Sequence, residues 1–483
     1  MPVKNCHFAL TWILVFLLAT PTFATLWQVG PSRCYTIPSL VAGLVSSGDT
    51  VEIDAGTYPG DVAGWTTHNL TLRGVGGMAH LQANGNAWGQ KAIWVIAGNN
   101  CVVEDMEFSG CTVPDQNGAG IRLEGQGLTI IRCYFHHNEN GILTSTLSTQ
   151  KIRIEHSEFA WNGFGDGYSH NLYINHVDTL IFQYNYSHHA LVGHELKSRA
   201  HVNLILYNRF SNEATGTASR CIDLPNGGTA LLMGNVIHQG PAATNNNMVG
   251  FGSEDLSNNA PHQCVVVSNT LVNERSVCNF FSINASADLF KARNNLLAGV
   301  GNFNTGTLPA NTDTVANITS SIQDFAFSDP AMYDFRLTAQ SLAAINMALA
   351  PGSLGTISLV PDLVYVHPAG FTQRCLNGPP DAGAYEYCGN IGLEGIGDTQ
   401  DYSCRIFPNP SSGTANYLIH SQCAVQASLQ IMDCQGRIIS TQTLSLEAGT
   451  NQGIIPGESL PKGVYFVRCV FNEYTKTLKW IIE

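Results

Sequence analysis

Asparagines at 185, 208, 235, 269 and 295 constrain this chain more than any other feature. Each follows a short apolar run and precedes another, as in Leu204-Ile205-Leu206-Tyr207-Asn208-Arg209-Phe210 and Val265-Val266-Val267-Ser268-Asn269-Thr270-Leu271. Their intervals are 23, 27 and 26 residues, with one long insertion between 235 and 269. Segments 128–135 and 152–159 carry the same pattern earlier in the chain. A repeat of this length, with no helical segment between its strands, predicts a parallel β-helix. Stacking then places the same Asn in every coil, where side-chain amides hydrogen-bond along the ladder. A β-sandwich would alternate more cleanly and space its strands more closely.

Composition agrees. The chain has 47 glycines in 483 residues and is only 12% charged, which suits turn-rich β structure. This length exceeds an ordinary domain, a limit that elongated repeat folds escape. The net charge of -13 argues against nucleic acid or an anionic membrane as partner. An anionic substrate held by a local basic cluster is still compatible with it.

Residues 1–24 read as a signal peptide. Lys4 is the positive start, Ala9 to Ala19 the apolar core and Thr22-Phe23-Ala24 the small-residue cleavage pattern. That core is too short to span a bilayer, and no later segment is long and apolar enough to do so. Of 14 cysteines, Cys375 and Cys388 flank a Pro/Gly loop and are candidates for a bridge. Cys404, Cys423, Cys434 and Cys469 are candidates to pair among themselves. Cys101, Cys133, Cys221 and Cys264 sit in apolar strands and read as buried small hydrophobes. No CxxC pair signals a zinc ribbon or thioredoxin-like site.

The body of the chain, 25–387, is read as one solenoid. Residues 34–45 predict a short amphipathic helix that plugs its open end. The phrase from Gly48 to Tyr58, together with Asp334-Phe335-Arg336-Leu337 and Asp381-Ala382-Gly383-Ala384-Tyr385-Glu386-Tyr387, resembles the opening and closing phrases of pectate lyase-like proteins. That resemblance covers most of 30–387 and implies a right-handed parallel β-helix.

Residues 388–402 read as a Gly-rich linker. From 403 to 483 alternating strands with Gly turns predict a small β-sandwich. Phe407-Pro408-Asn409-Pro410, Asp433-Cys434-Gln435-Gly436-Arg437 and Pro461-Lys462-Gly463-Val464-Tyr465 closely resemble the C-terminal sorting domain of the type IX secretion system. The resemblance implies that machinery as a partner and a secreted or outer-membrane-surface location. A carbohydrate-binding module is the alternative, with Trp480 as its one aromatic platform.

Charge is densest in His188-His189-Ala190-Leu191-Val192-Gly193-His194-Glu195-Leu196-Lys197-Ser198-Arg199. On a strand, alternation puts Glu195, Lys197 and Arg199 on one face and His194, Leu196 and Ser198 on the other. Aligning coils by apolar positions matches Leu196 with Ile174 before it and Ile222 after it. Lys197 then lies beside Asn175 and Asp223, and Glu195 beside Tyr173 and Cys221. Arg122 and Glu124 extend the row, while His170, Asn171, His189 and His194 come from nearby turns or strand ends. His194 and His189 are catalytic candidates because imidazole is a common catalytic group. Tyr173, Asn175, Asn171 and Arg122 are candidate substrate contacts.

Leu196-Lys197-Ser198-Arg199, with Asn203 and Asn208 beyond, resembles the lysine coil of β-helix polysaccharide lyases of the chondroitinase B and alginate lyase type. The resemblance implies β-elimination of a uronate-containing polysaccharide, with Lys197 as Brønsted base. Arg220, or Arg199 in its place, would assist the leaving group, and calcium would neutralise the uronate carboxylate. Arg220 sits at a coil start, offset from the family's arginine, a His-Gly partner is absent, and Asp223 takes the space beside Lys197. Glu195, Asp223 and Glu254 therefore stand as a calcium-ligand set, or as a source of paired carboxylates for glycoside hydrolysis. A non-catalytic adhesin with an ion-paired face is the third reading. Nothing signals a nucleotide or redox cofactor.

Overall fold

The computed structural model describes residues 24–375, 378–388 and most of 402–482. The expected leader up to residue 23, most of the linker and Cys434 lie outside the described residues. The chain divides into two compact units, 1–387 and 388–483.

The first unit is a parallel β-solenoid. One face is a ten-stranded parallel sheet that includes Ala119–Leu123, Asn140–Thr144, Leu172–Ile174, Leu196–Ser198, Ile222–Leu224 and Asn247–Phe251 in spatial order. A larger parallel sheet contributes two further runs per coil, such as Val177–Gln183 and Tyr186–His188. Period-two alternation sends one set of side chains inward from every run. Inside, Phe108, Phe135 and Phe159 stack with centroids 4.9 and 5.0 Å apart.

The bend between the two runs of the larger sheet is made by one left-handed residue per coil. Tyr184, Tyr207, Ser268 and Asn294 have φ of 59, 54, 53 and 58°. Gly234 fills the same place at 68°, where a Cβ would meet the Tyr207 ring. Each non-glycine residue there costs about 1 kcal/mol. The next residue is the repeating Asn, buried in every case. Its Nδ2 donates to the Oδ1 of the next coil's Asn at 3.2, 3.0, 2.9, 3.0 and 2.8 Å, from Asn185 through Asn208, Asn235, Asn269 and Asn295 to Asn317. The same Oδ1 also accepts the backbone N–H of the preceding Asn, at 2.9 Å for Asn208. Toward the N-terminus, Ser157 N donates to Asn185 Oδ1 and Cys133 N to Ser157 Oγ, extending the ladder beyond the asparagines.

At the N-terminal end the plug is one 3-10 turn, Pro38–Leu40, and not the predicted amphipathic helix. Pro38 at its start and Gly43 soon after leave too few residues for a stable α-helix. Val41, Ala42 and Val45 still bury into the solenoid core. Near the other end, Asp334–Leu337 pairs antiparallel with Phe327–Asp329. Phe335, Leu337, Ala382 and Ala384 form a second core with Val236, Val272 and Leu296 of the larger sheet.

The second unit contains an antiparallel three-stranded sheet and an antiparallel four-stranded sheet sharing one core. Trp480 is buried there and donates to Ser411 Oγ at 2.9 Å, so it is no exposed sugar platform. Cys404 and Cys469 lie side by side with sulfurs 3.3 Å apart. Cys375 and Cys388 are disulfide-bonded, and Cys101, Cys133, Cys221 and Cys264 are buried thiols. Among the described residues, no helix is long and apolar enough to cross a membrane.

Replacing Asn208 with Ala strands the Asn185 N–H groups and the Phe182 carbonyl in the interior. We expect a loss of about 3 kcal/mol, read by urea unfolding. A change below about 1 kcal/mol would mean that the ladder is incidental to stability.

Candidate functional site

Register on the ten-stranded face places outward side chains in a column. Arg122 pairs with Leu143, Tyr173 with Lys197, and Lys197 with Asp223. The predicted match of Leu196 with Ile222 is present, but on the preceding coil Lys197 sits beside Tyr173, not Asn175. Leu172 and Ile174 are both buried. A two-residue slip preserves the facing of every side chain, so the apolar pattern does not discriminate between these registers.

Lys197 and Arg199 converge on one carboxylate. Glu254 Oε1 lies 3.1 Å from Lys197 Nζ, and Glu254 Oε2 lies 2.6 Å from Arg199 NH1. Arg199 Nε donates to the Tyr173 hydroxyl at 2.9 Å, and NH1 donates to Asn226 Oδ1. Both cations also stand over the Tyr173 ring, 5.5 and 5.7 Å from its centroid. Burial opposes ionisation of Glu254, but hydrogen bonds from Arg199 and Lys197 outweigh it and hold its pKa below the usual carboxylate value.

Glu254 arrives on the long connection between Asn247–Phe251 and Gln263–Val267, which is the insertion in the repeat between 235 and 269. The connection folds back over earlier coils. Glu254 N donates to Pro225 O at 3.0 Å, and Asn259 Nδ2 to Arg199 O at 3.1 Å. Asp255 accepts from Asn226 Nδ2 at 2.9 Å. Sequence reasoning missed Asn226 and Asp255, and the length of the insertion was the available signal. A cavity of about 520 Å³ lies along this connection, lined by residues including His176, His201 and Asn259. It contains none of the converging cations.

Next to Lys197 in the column, Asp223 gathers a second charge group. Arg220 NH1 bonds Asp223 Oδ1 at 2.6 Å, and His194 Nε2 is 3.5 Å from Asp223 Oδ2. Burial raises the Asp223 pKa against the pull of Arg220 and Lys197. His194 stacks on His170 with centroids 4.8 Å apart, and its Nδ1 accepts the Arg220 N–H at 3.1 Å. Burial, reinforced by the Lys197 and Arg220 charges, lowers the His194 pKa to about 3. His194 is therefore a neutral ring at neutral pH.

Several expected members are elsewhere. Glu195 precedes its strand and turns into the solenoid, where it is fully buried. It accepts from Asn171 Nδ2 at 2.6 Å, Asn212 Nδ2 at 3.1 Å and Ala190 N at 3.2 Å. Burial lifts its pKa to about 8 against those hydrogen bonds. Asn171 is equally internal, ending a short ladder that runs from Asn138 through Asn162. His189 follows Tyr186–His188 at a left-handed bend of the larger sheet, against Trp161, and does not join Lys197. Asn175 caps His176 N at 2.8 Å. Arg122 faces outward farther along the column, separated from Tyr173 by Leu143.

The carboxylates proposed for calcium do not form a cage. Calcium takes about six to eight oxygen ligands. Glu195 is interior, Asp223 is paired with Arg220, and Glu254 is held by two cations. These residues do not fit the ion.

Stability should depend on the neutral His194. Its folded pKa lies below the unfolded value, so its contribution is present above pH 6.5 and is lost as pH falls from 6.5 toward 3. Urea unfolding of His194→Gln across that window should show a shallower decline than the parent. Parallel curves would contradict a buried neutral ring.

Residues 405–483 match the family model described as the secretion system C-terminal sorting domain. No curated protein matches this sequence. Among solved structures, the chain is similar to pectate lyase Pel9A at 14% identity and a TM-score of 0.53, over 76% of this chain and 97% of that one. At this identity the likeness establishes the fold alone.

Proposed function

We propose that this protein is a secreted or surface-attached enzyme that cleaves a uronate-containing polysaccharide by β-elimination. The observation carrying this reading is the convergence of Lys197 and Arg199, beside Tyr173, on a single carboxylate at the outer face. A slot that holds the Glu254 carboxylate has the charge and donors to hold a uronate carboxylate in its place. The solved neighbour is a pectate lyase by name, and the sorting-domain match supports export.

In this reading Arg199 and Tyr173 hold the sugar carboxylate, acidifying the adjacent carbon. Lys197, released from Glu254 and acting as its neutral amine, takes the proton from that carbon. The electron pair becomes the new double bond as the bond from the next carbon to the glycosidic oxygen breaks, and that oxygen takes its proton from water. Arg220 is the nearby candidate to assist its departure, provided that substrate loosens its pair with Asp223. Arg199 supplies the charge neutralisation, so no step is assigned to calcium.

A second reading is supported by one observation. Asp223 has a raised pKa and Glu254 a lowered one, the separation expected of an acid and base pair in glycoside hydrolysis.

Ultraviolet absorbance on acidic polysaccharides separates the two. Elimination produces an absorbing unsaturated uronate, and Lys197→Ala should lower its rate by about 100-fold or more. New reducing ends without absorbance, unaffected by Lys197→Ala and abolished by Glu254→Gln, would support hydrolysis. Binding without turnover across the panel would leave an adhesin.

A further inference from the structure

The larger sheet carries a separate set of metal-ligating side chains on its outer face. His80 lies on Thr71–Gln82, Glu107 on Met106–Ser109 and His136 on Tyr134–His136, three neighbouring strands in the stack. His80 is directly in register with Glu107, while His136 is in register with Ser109. His136 bonds Glu107 through its Nε2, and His80 Nε2 lies near the same oxygen while bonding Ser109 Oγ. His80 Nε2 is 3.5 Å and His136 Nε2 is 2.9 Å from Glu107 Oε1. The three ligand atoms lie within 4.8 Å of one another.

These separations suit one small ion. Metal–ligand bonds of about 2.0–2.1 Å in a tetrahedron put neighbouring donors about 3.3–3.4 Å apart. Two imidazoles and a carboxylate are a donor set for zinc-like ions, whereas calcium prefers oxygen alone. His136 also has an outer partner, since its Nδ1 is 2.7 Å from His137 Nδ1. Such a contact orients a ligating ring. Ser109 Oγ stands 2.7 Å from His80 Nε2 at the edge of the group. The side chains of His80, Glu107 and His136 remain 18, 25 and 15% exposed, leaving an approach from solvent.

A row of structural His–Glu pairs would explain part of this geometry, and the fold contains a comparison. Further along the same face, His188 Nε2 is 3.1 Å from Glu158 Oε1, and His188 Nδ1 is 2.8 Å from His189 Nδ1. That arrangement repeats Glu107, His136 and His137. In the place corresponding to His80, however, Tyr134 is in register with Glu158. The second group therefore has the same pair without the third ligand.

We propose that His80, Glu107 and His136 form a binding site for a zinc-class divalent ion, with at least one coordination position open to solvent. Strands from neighbouring coils hold the donors before the ion arrives, so binding costs little rearrangement.

The test uses the full chain, titrated first with cobalt(II) as a spectroscopic probe and then with zinc. One equivalent of cobalt should give visible d–d bands, and zinc should displace it and raise the melting temperature. His80→Ala and Glu107→Gln should each weaken binding by at least about 100-fold, because these ligands matter more than the outer partners. Glu158→Gln should bind as the parent does. Circular dichroism checks folding of each variant, and Glu107→Gln decides the matter if His80→Ala does not fold. The proposal is overturned by absence of both cobalt bands and zinc stabilisation in the parent. Parent-like affinity in the folded ligand variants, or equal loss in Glu158→Gln, would overturn it as well.

Discussion

The asparagine ladder at the bend of the larger sheet is the constraint on which the solenoid depends. Each coil must turn sharply through a left-handed residue, and the turn buries backbone groups that water cannot reach. From Asn185 to Asn295 the following Asn answers both needs. Its oxygen takes the backbone and side-chain N–H of one neighbour, and its amide reaches the next coil and a carbonyl. Because every such bond links adjacent coils, the ladder fixes their register as well as their stability. Strand positions on the other faces inherit that register.

The candidate site is a consequence of this fixed spacing. Tyr173, Lys197 and Asp223 come from successive strands and face the same way without local design. What makes the place distinctive is the insertion that returns Glu254 over it. A carboxylate on two cations is an ordinary surface ion pair until the cations are themselves well buried and oriented. Here Lys197 and Arg199 have side chains only 14% exposed, and Arg199 is oriented by Tyr173 and Asn226. Such a slot favours anions of carboxylate shape over anions in general.

The repeat was legible because the Asn positions answer a backbone requirement that recurs in each coil. Lys197, Arg199 and Tyr173 were legible for a related reason, since alternation and coil spacing determine which side chains face out. Glu195 was misread because alternation was extended past the end of the strand. The chain turns inward there, and the Asn171 and Asn212 amides make burial of a carboxyl group possible. His189 stands apart because nearness in sequence is not nearness on a face, and a bend separates it from Lys197. The plug of the N-terminal end kept its buried residues while losing its helix, because burial constrains Val41 and Val45 more than backbone conformation does. The partner of Lys197 and Arg199 lay beyond the reach of pattern, since Glu254 depends on how a long connection folds back.

In the proposed reaction the Lys197–Arg199 slot receives a sugar carboxylate in place of Glu254. A crystal structure of Lys197→Ala with an acidic oligosaccharide tests it most directly. The expected result is a uronate carboxylate on Arg199 and the Tyr173 hydroxyl, Glu254 displaced, and the carbon beside that carboxylate facing the emptied position at 197. An oligosaccharide bound elsewhere on the solenoid, with Glu254 still on Arg199, would contradict it.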